Sequence, residues 1–145
     1  MTFQLSPDLD LGKDTERMTP ADKRRQEATV NQLLQAFTSP LSKRREVQLL
    51  ADEVGLGKTF VALATAYSML QQLRQPPHQA AEAGFEKCYR AVVVIVPKGN
   101  RALAQKWHQD VEALRLRCGR DETSTNWFRS RICHDAYDLA AGLRL

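Results

Sequence analysis

Cysteine, long apolar runs and internal repeats are scarce or absent in this sequence of 145 residues. The 3 cysteines, at positions 88, 118 and 133, form no C-x-x-C pair, which argues against a disulfide framework or a zinc site and favours a reducing compartment. The longest apolar run, residues 91–96, is too short to span a membrane. Residues 1–14 carry acids without an apolar core, so we expect no signal peptide. These absences predict a cytoplasmic protein without membrane contact.

The composition indicates a soluble, globular chain with room for one core. Hydrophobic residues make up 43% of the sequence and charged residues 26%, which is typical of a folded domain. The formal net charge is +4, a mildly basic balance that is compatible with nucleic acid but not diagnostic of it.

The chain begins with a stretch that holds Pro7, Gly12 and scattered charge without a period. Residues 1–18 therefore predict a flexible N-terminal arm. Thr19 and Pro20 then have the order of an N-cap and a first helical residue, and residues 38–40 (Thr-Ser-Pro) predict the end of that helix. The apolar positions that would face the core follow helical spacing: Val30, Leu33, Leu34 and Phe37.

Two apolar stretches have the character of strands that precede helices. Residues 47–51 are a short apolar run, and residues 91–96 are a continuous, mostly β-branched run of the kind buried on both faces of a parallel sheet. Helical patterns follow at about 58–74 and 101–116. The alternation predicts an α/β domain in which parallel strands are flanked by helices, with the N-terminal helix preceding them.

Between the first predicted strand and its helix lies a pattern typical of phosphate-binding loops. A turn with glycines leads into Gly57-Lys58-Thr59, and the following helix begins near Lys58. Backbone N–H groups in such a turn, together with the positive end of the helix dipole, favour an anion. Lys58 is predicted to reach the β- and γ-phosphates of ATP and to be the catalytic residue, and the Thr59 hydroxyl is predicted to bind Mg²⁺.

The loop departs from the general pattern G-x-x-x-x-G-K-[ST] because Asp52 occupies the first glycine position. The string D-E-V-G-L-G-K-T instead resembles motif I of the superfamily 2 helicases, in the Swi/Snf-like branch of DNA translocases. The resemblance implies that the whole string surrounds the nucleotide. Its residues are Asp52, Glu53, Val54, Gly55, Leu56, Gly57, Lys58 and Thr59.

Two further segments resemble the same family. Gln26, followed by apolar residues four and seven positions later, is similar to the helix upstream of motif I, and this implies that Gln26 contacts adenine. The usual aromatic residue or His before that glutamine is replaced by Arg25. The V-x-V-P end of the second predicted strand, followed by L-x-x-x-W-x-x-[DE], resembles motif Ia. That likeness implies backbone contacts to DNA, without base readout, from Lys98, Gly99 and Asn100.

The resemblance covers residues 20–115 and implies that residues 19–145 form a partial RecA-like helicase domain that binds ATP. A motor of this type also needs a D-E-x-[HD] motif and a second RecA-like domain with arginine fingers, and the sequence contains neither. We therefore expect the ATP-binding N-terminal portion of a DNA helicase or translocase, with little ATP hydrolysis of its own and with the remaining helicase part, or a separate subunit, as partner.

Two other classes remain open at this point. One is a truncated or stand-alone, non-catalytic module that binds nucleotide or DNA. The other is a different phosphate-loop enzyme, such as a small kinase or a transporter-type ATPase, although such loops usually keep the glycine that Asp52 replaces.

Overall fold

The computed structural model describes residues 3–12, 18–40, 43, 45, 47–51, 57–73, 91–116, 127–133, 137–138 and 140, and three helices have both of their ends within these ranges. The helices are α1 (Pro20–Thr38), α2 (Lys58–Leu73) and α3 (Arg101–Arg115). Helix α2 packs against both α1 and α3. The helical segments predicted from apolar spacing are therefore confirmed.

Local sequence signals set the start of α1. The Thr19 side chain accepts a hydrogen bond from the Asp22 N–H (3.1 Å), and Pro20 occupies the first turn, where a missing N–H does no harm. At the other end, the N–H of Ser39 donates to the carbonyl of Gln35 (3.0 Å) just before Pro40. Both predicted boundaries of this helix are confirmed.

The core lies along α2. Its buried positions cover a wide arc of the helix, as expected of an element packed on more than one side. Tyr67, 1% exposed, stacks on Trp127 with ring centroids 5.1 Å apart and meets the edge of Phe128 at 5.2 Å. Helix α1 adds Val30 and Leu34 to this core, and α3 adds Val111 and Leu114.

Residues 3–12, which belong to the predicted flexible arm, lie packed across α1 and α2. Phe3 and Leu11 are 2% and 0% exposed. The backbone N–H of Leu5 donates to Asn31 Oδ1 on α1 (2.8 Å), and that of Ser6 donates to Ser68 Oγ on α2 (2.9 Å). The segment therefore contributes to the same core as the helices.

The predicted α/β, RecA-like architecture is wrong for the part of the chain that the structure describes. Residues 47–51 and 91–96, expected to be buried parallel strands, form no strand there. Val47 is 84% exposed and Ile95 is 90% exposed. An apolar β-branched run favours extended backbone, but a strand also needs neighbours that accept its hydrogen bonds. In the described residues the arm and the helices bury one another instead, and no sheet forms between them.

None of the helices in the described ranges combines the length and the apolar character needed to cross a bilayer.

Candidate functional site

The first residues of the predicted phosphate loop lie outside the described residues: Asp52, Glu53, Val54, Gly55 and Leu56. Their predicted part in nucleotide binding stays a prediction. The described part of the loop begins at Gly57 and continues directly into α2.

Gly57 and Gln26, which are 31 positions apart in the sequence, meet in the structure. Gln26 lies on α1 and is 3% exposed. A Cβ atom built on Gly57 would lie 2.3 Å from the amide nitrogen of Gln26 and 3.2 Å from its Cδ atom. Gly57 also has φ +81°, a left-handed conformation that residues with a Cβ rarely adopt. Both the space and the backbone at this position therefore require glycine.

Lys58 and Thr59 are the first two residues of α2, as the phosphate-loop pattern predicts. The first intrahelical hydrogen bond joins the N–H of Val61 to the carbonyl of Gly57 (3.0 Å). The N–H groups before Val61 therefore point out of the N-terminal end of the helix, where the dipole favours a negative charge. Lys58 and Thr59 are half-buried at this end. The helix start, the amine and the hydroxyl together fit the phosphates of a nucleotide bound with Mg²⁺.

Two charged side chains at the start of α1 have shifted pKa values, and both lie in the first turn of this helix. Hydrogen bonding to Asp10 raises the pKa of Lys23, and the Thr19 hydroxyl lowers the pKa of Asp22. The Lys23 amine lies 2.8 Å from Asp10 Oδ1 in the N-terminal segment. The ion pair between Lys23 and Asp10 joins the start of α1 to residues 3–12, and it lies about one turn before Gln26.

The three predicted DNA contacts lie at the turn before α3. Residues 98–100 are exposed, and Gly99 has φ +82° with open space where a Cβ would be. Asn100 is used within the turn. Its N–H donates to the carbonyl of Pro97 (3.1 Å), and its side chain caps α3 by accepting from the N–H of Leu103 (3.0 Å). The side chain of Lys98 is therefore the cationic group of this turn that faces solvent.

The described residues contain no group of three or more His, Cys, Asp or Glu side chains that could hold a metal ion.

Sequence reasoning missed one long-range contact on α3. His108 Nδ1 and Ser130 Oγ lie 2.5 Å apart, although 22 positions separate the two residues. Nothing in the spacing of His and Ser residues signals this contact, because it depends on how residues 127–133 return to the helix.

No protein-family model matches the sequence, and no match was found among the curated proteins or among the solved structures.

Proposed function

We propose that this chain binds ATP with Mg²⁺ and serves as the ATP-binding portion of an ATP-dependent DNA translocase of the superfamily 2, Swi/Snf-like type. The observation that carries the proposal is the contact between Gln26 and Gly57, next to Lys58. The motif resemblance assigned Gln26 to adenine, and Gly57 and Lys58 to phosphate. An unrelated G-K-T sequence would have no reason to lie against that glutamine.

The proposed roles follow from the chemistry of each group. Lys58 neutralises the β- and γ-phosphates as a compact positive charge, and Thr59 supplies a hydroxyl to Mg²⁺. The amide of Gln26 can both donate to and accept from the edge of adenine. Because Gln26 lies against Gly57, a base bound to Gln26 and a phosphate bound to the loop would lie on either side of the same contact. This part of the proposal requires no sheet, because α1 and α2 alone bring the groups together.

The DNA half of the proposal rests on the turn before α3. Lys98 is exposed and positively charged, so it is suited to a phosphate of the DNA backbone, and such a contact does not depend on base sequence. The sequence carries no D-E-x-[HD] motif to activate water. We therefore expect little ATP hydrolysis from this chain alone, and we propose the rest of a helicase, or a separate subunit, as its partner. Because ATP and DNA are its proposed ligands, we propose a cytoplasmic location.

Binding of a fluorescent ATP analogue in the presence of Mg²⁺ tests the nucleotide half. Charge-assisted hydrogen bonds contribute about 1.5–3 kcal/mol each, so Lys58→Ala should weaken binding on the order of 10- to 100-fold. Gln26→Ala should reduce the preference for ATP over GTP. Lys106→Ala is the matched control, because Lys106 is an exposed lysine on another helix, paired with Asp110. An affinity that Lys58→Ala leaves unchanged would refute the proposal.

A stand-alone, non-catalytic nucleotide-binding module is the second candidate. The observation that favours it is the burial of Phe3 and Leu11 from the N-terminal segment, which completes a core within the described residues. Thermal unfolding separates the two candidates. A single cooperative transition with the isolated chain, stabilised by ATP, supports a module, whereas a cooperative transition seen only with a partner subunit supports a portion of a larger motor.

A further inference from the structure

Helix α3 presents a polar, solvent-facing side opposite its buried stripe. Val111 and Leu114 are buried, and Trp107 packs against the core. The exposed side begins with Arg101, which directly follows the turn that contains Lys98. Because α3 has 3.6 residues per turn, Arg101 and His108 stand almost in line, two turns apart and about 10 Å along the axis.

Residues 127–133 contact α3 at His108. Ser130 Oγ lies 2.5 Å from His108 Nδ1, so the Ser130 side chain faces the helix. The two arginine side chains next to Ser130, Arg129 and Arg131, are both exposed to solvent.

Some cations on α3 form ion pairs with carboxylates of the same helix. Lys106 forms an ion pair with Asp110, and Arg115 pairs with Glu112 at 2.7 Å. Among the described residues, no carboxylate lies within ion-pair distance of three other cations. These three cations are Lys98, Arg101 and Arg131.

We propose that Lys98, Arg101 and Arg131 form one surface, here called the α3 basic surface, that binds the phosphate backbone of duplex DNA. The inference rests on the proposed function, which assigned a DNA contact to Lys98 alone, and extends that contact to two residues that no motif assigns. Exposed cations that neutralise phosphates release the counterions condensed on the duplex, and this favours DNA of any sequence. His108 is a positioning residue, because it holds Ser130 and thereby places Arg131.

The dimensions of this surface agree with a backbone contact. About 10 Å of helix separates Arg101 from His108, and Arg131 is one residue beyond Ser130, or about 3.8 Å between Cα atoms. Phosphates on one strand advance by about 3.4 Å along the axis of duplex DNA. The surface therefore spans the axial rise of several phosphates, and each cation can meet a different one.

Fluorescence anisotropy with a short labelled DNA duplex, measured over a range of salt concentrations, tests the proposal on the full chain. Each lost phosphate contact should reduce the slope of log affinity against log salt by about 0.9. We expect that change from Lys98→Gln, from Arg101→Gln and from Arg131→Gln. Arg24→Gln is the matched control, since it removes the same charge from an exposed position on α1 and should leave the slope unchanged.

The possible outcomes separate this inference from the proposed function. If Lys98→Gln reduces the slope but Arg101→Gln and Arg131→Gln behave like Arg24→Gln, the single contact stands and the α3 basic surface is refuted. If the unmodified chain binds ATP but no duplex DNA, the DNA half of the proposed function fails and the surface fails with it. Tighter binding of single-stranded DNA that is lost in Tyr137→Ala would also refute it, because Tyr137 is an exposed aromatic suited to base stacking.

The positioning role of His108 has its own test. In a His108→Ala background, Arg131→Gln should change the salt slope much less than it does in the unmodified chain, whereas Lys98→Gln should keep its full effect. An equal effect of Arg131→Gln in both backgrounds would show that the contact with Ser130 does not place this arginine. ATP affinity should be the same in all these variants, and this confirms that each remains folded.

Discussion

The contact between Gly57 and Gln26 allows a quantitative prediction, because Gly99 provides a matched comparison. The two glycines have φ values of +81° and +82°. Alanine in this left-handed conformation costs roughly 1–2 kcal/mol at either position. At Gly99 nothing lies within 4 Å of the added Cβ, so no further term is expected there. At Gly57 the Cβ would lie 2.3 Å from the Gln26 amide nitrogen.

The side chain of Gln26 must move to relieve that overlap. An ordinary contact begins at 3.4 Å, so the amide must move by about 3.4 minus 2.3, or ~1 Å, within a site where the side chain is 3% exposed. Overpacking of this kind costs about 1–3 kcal/mol. Gly57→Ala should therefore lower the free energy of unfolding by about 2–5 kcal/mol in total, whereas Gly99→Ala should lower it by about 1–2 kcal/mol.

Urea unfolding followed by circular dichroism measures both variants, and a double-mutant cycle isolates the contact. In a Gln26→Ala background, the overlap is absent, so Gly57→Ala should cost no more than Gly99→Ala does in the unmodified chain. Equal costs for the two glycine variants, or a cost at Gly57 that is unaffected by Gln26→Ala, would refute the contact on which the proposed nucleotide site depends.

Three further predictions concern the arm, the start of α1 and the extended segments. Leu11→Ala should lower the free energy of unfolding by about 2–5 kcal/mol in urea, because Leu11 is fully buried, whereas a flexible arm would show almost no change. The pKa of Asp22 is held below its ordinary value of 3.8, mainly by the Thr19 hydroxyl. The stabilising effect of Asp22 should therefore be complete above pH 3.8 and be lost as the pH falls through the lower folded-state pKa. Asp22→Asn should remove this part of the acid transition seen by circular dichroism. Ile95→Lys should change stability by less than about 0.5 kcal/mol because Ile95 is 90% exposed, and a loss of several kcal/mol would show that this segment is buried after all.

Helix positions were predictable from the sequence because their signals are local. Thr19, Pro20 and Pro40 act on the backbone within a few residues of themselves, and the spacing of Val30 and Leu34 follows directly from the helical repeat. The start of α2 at Lys58 was likewise correct, because a phosphate-loop pattern specifies where its helix begins.

The absence of a sheet from the described residues was not predictable by the same means. A run such as residues 91–96 favours an extended backbone, but whether it forms a strand depends on partners elsewhere in the chain. The packing of residues 3–12 was missed for a related reason. A few apolar side chains in so short a segment give no sign in sequence of burial, yet Phe3, Leu9 and Leu11 enter the core once α1 and α2 form a surface for them.

The candidate site was predictable in part. The motif resemblance selected Gln26 and Gly57 separately, and the structure shows that they touch. The sequence assigned all of residues 98–100 to DNA, and that assignment stays a prediction. The structure adds that Asn100 caps α3 and closes its own turn, which the sequence analysis did not predict.

The hydrogen bonds of the N-terminal segment have a practical consequence for experiments on this protein. Leu5 is bonded to Asn31 on α1, and Ser6 is bonded to Ser68 on α2, so the segment bridges the helix that carries Gln26 and the helix that begins at Lys58. Any ligand that moves these two helices apart must strain or break one of those bonds. A fluorescent label attached at the N-terminus would therefore report changes between the two helices from outside the site itself.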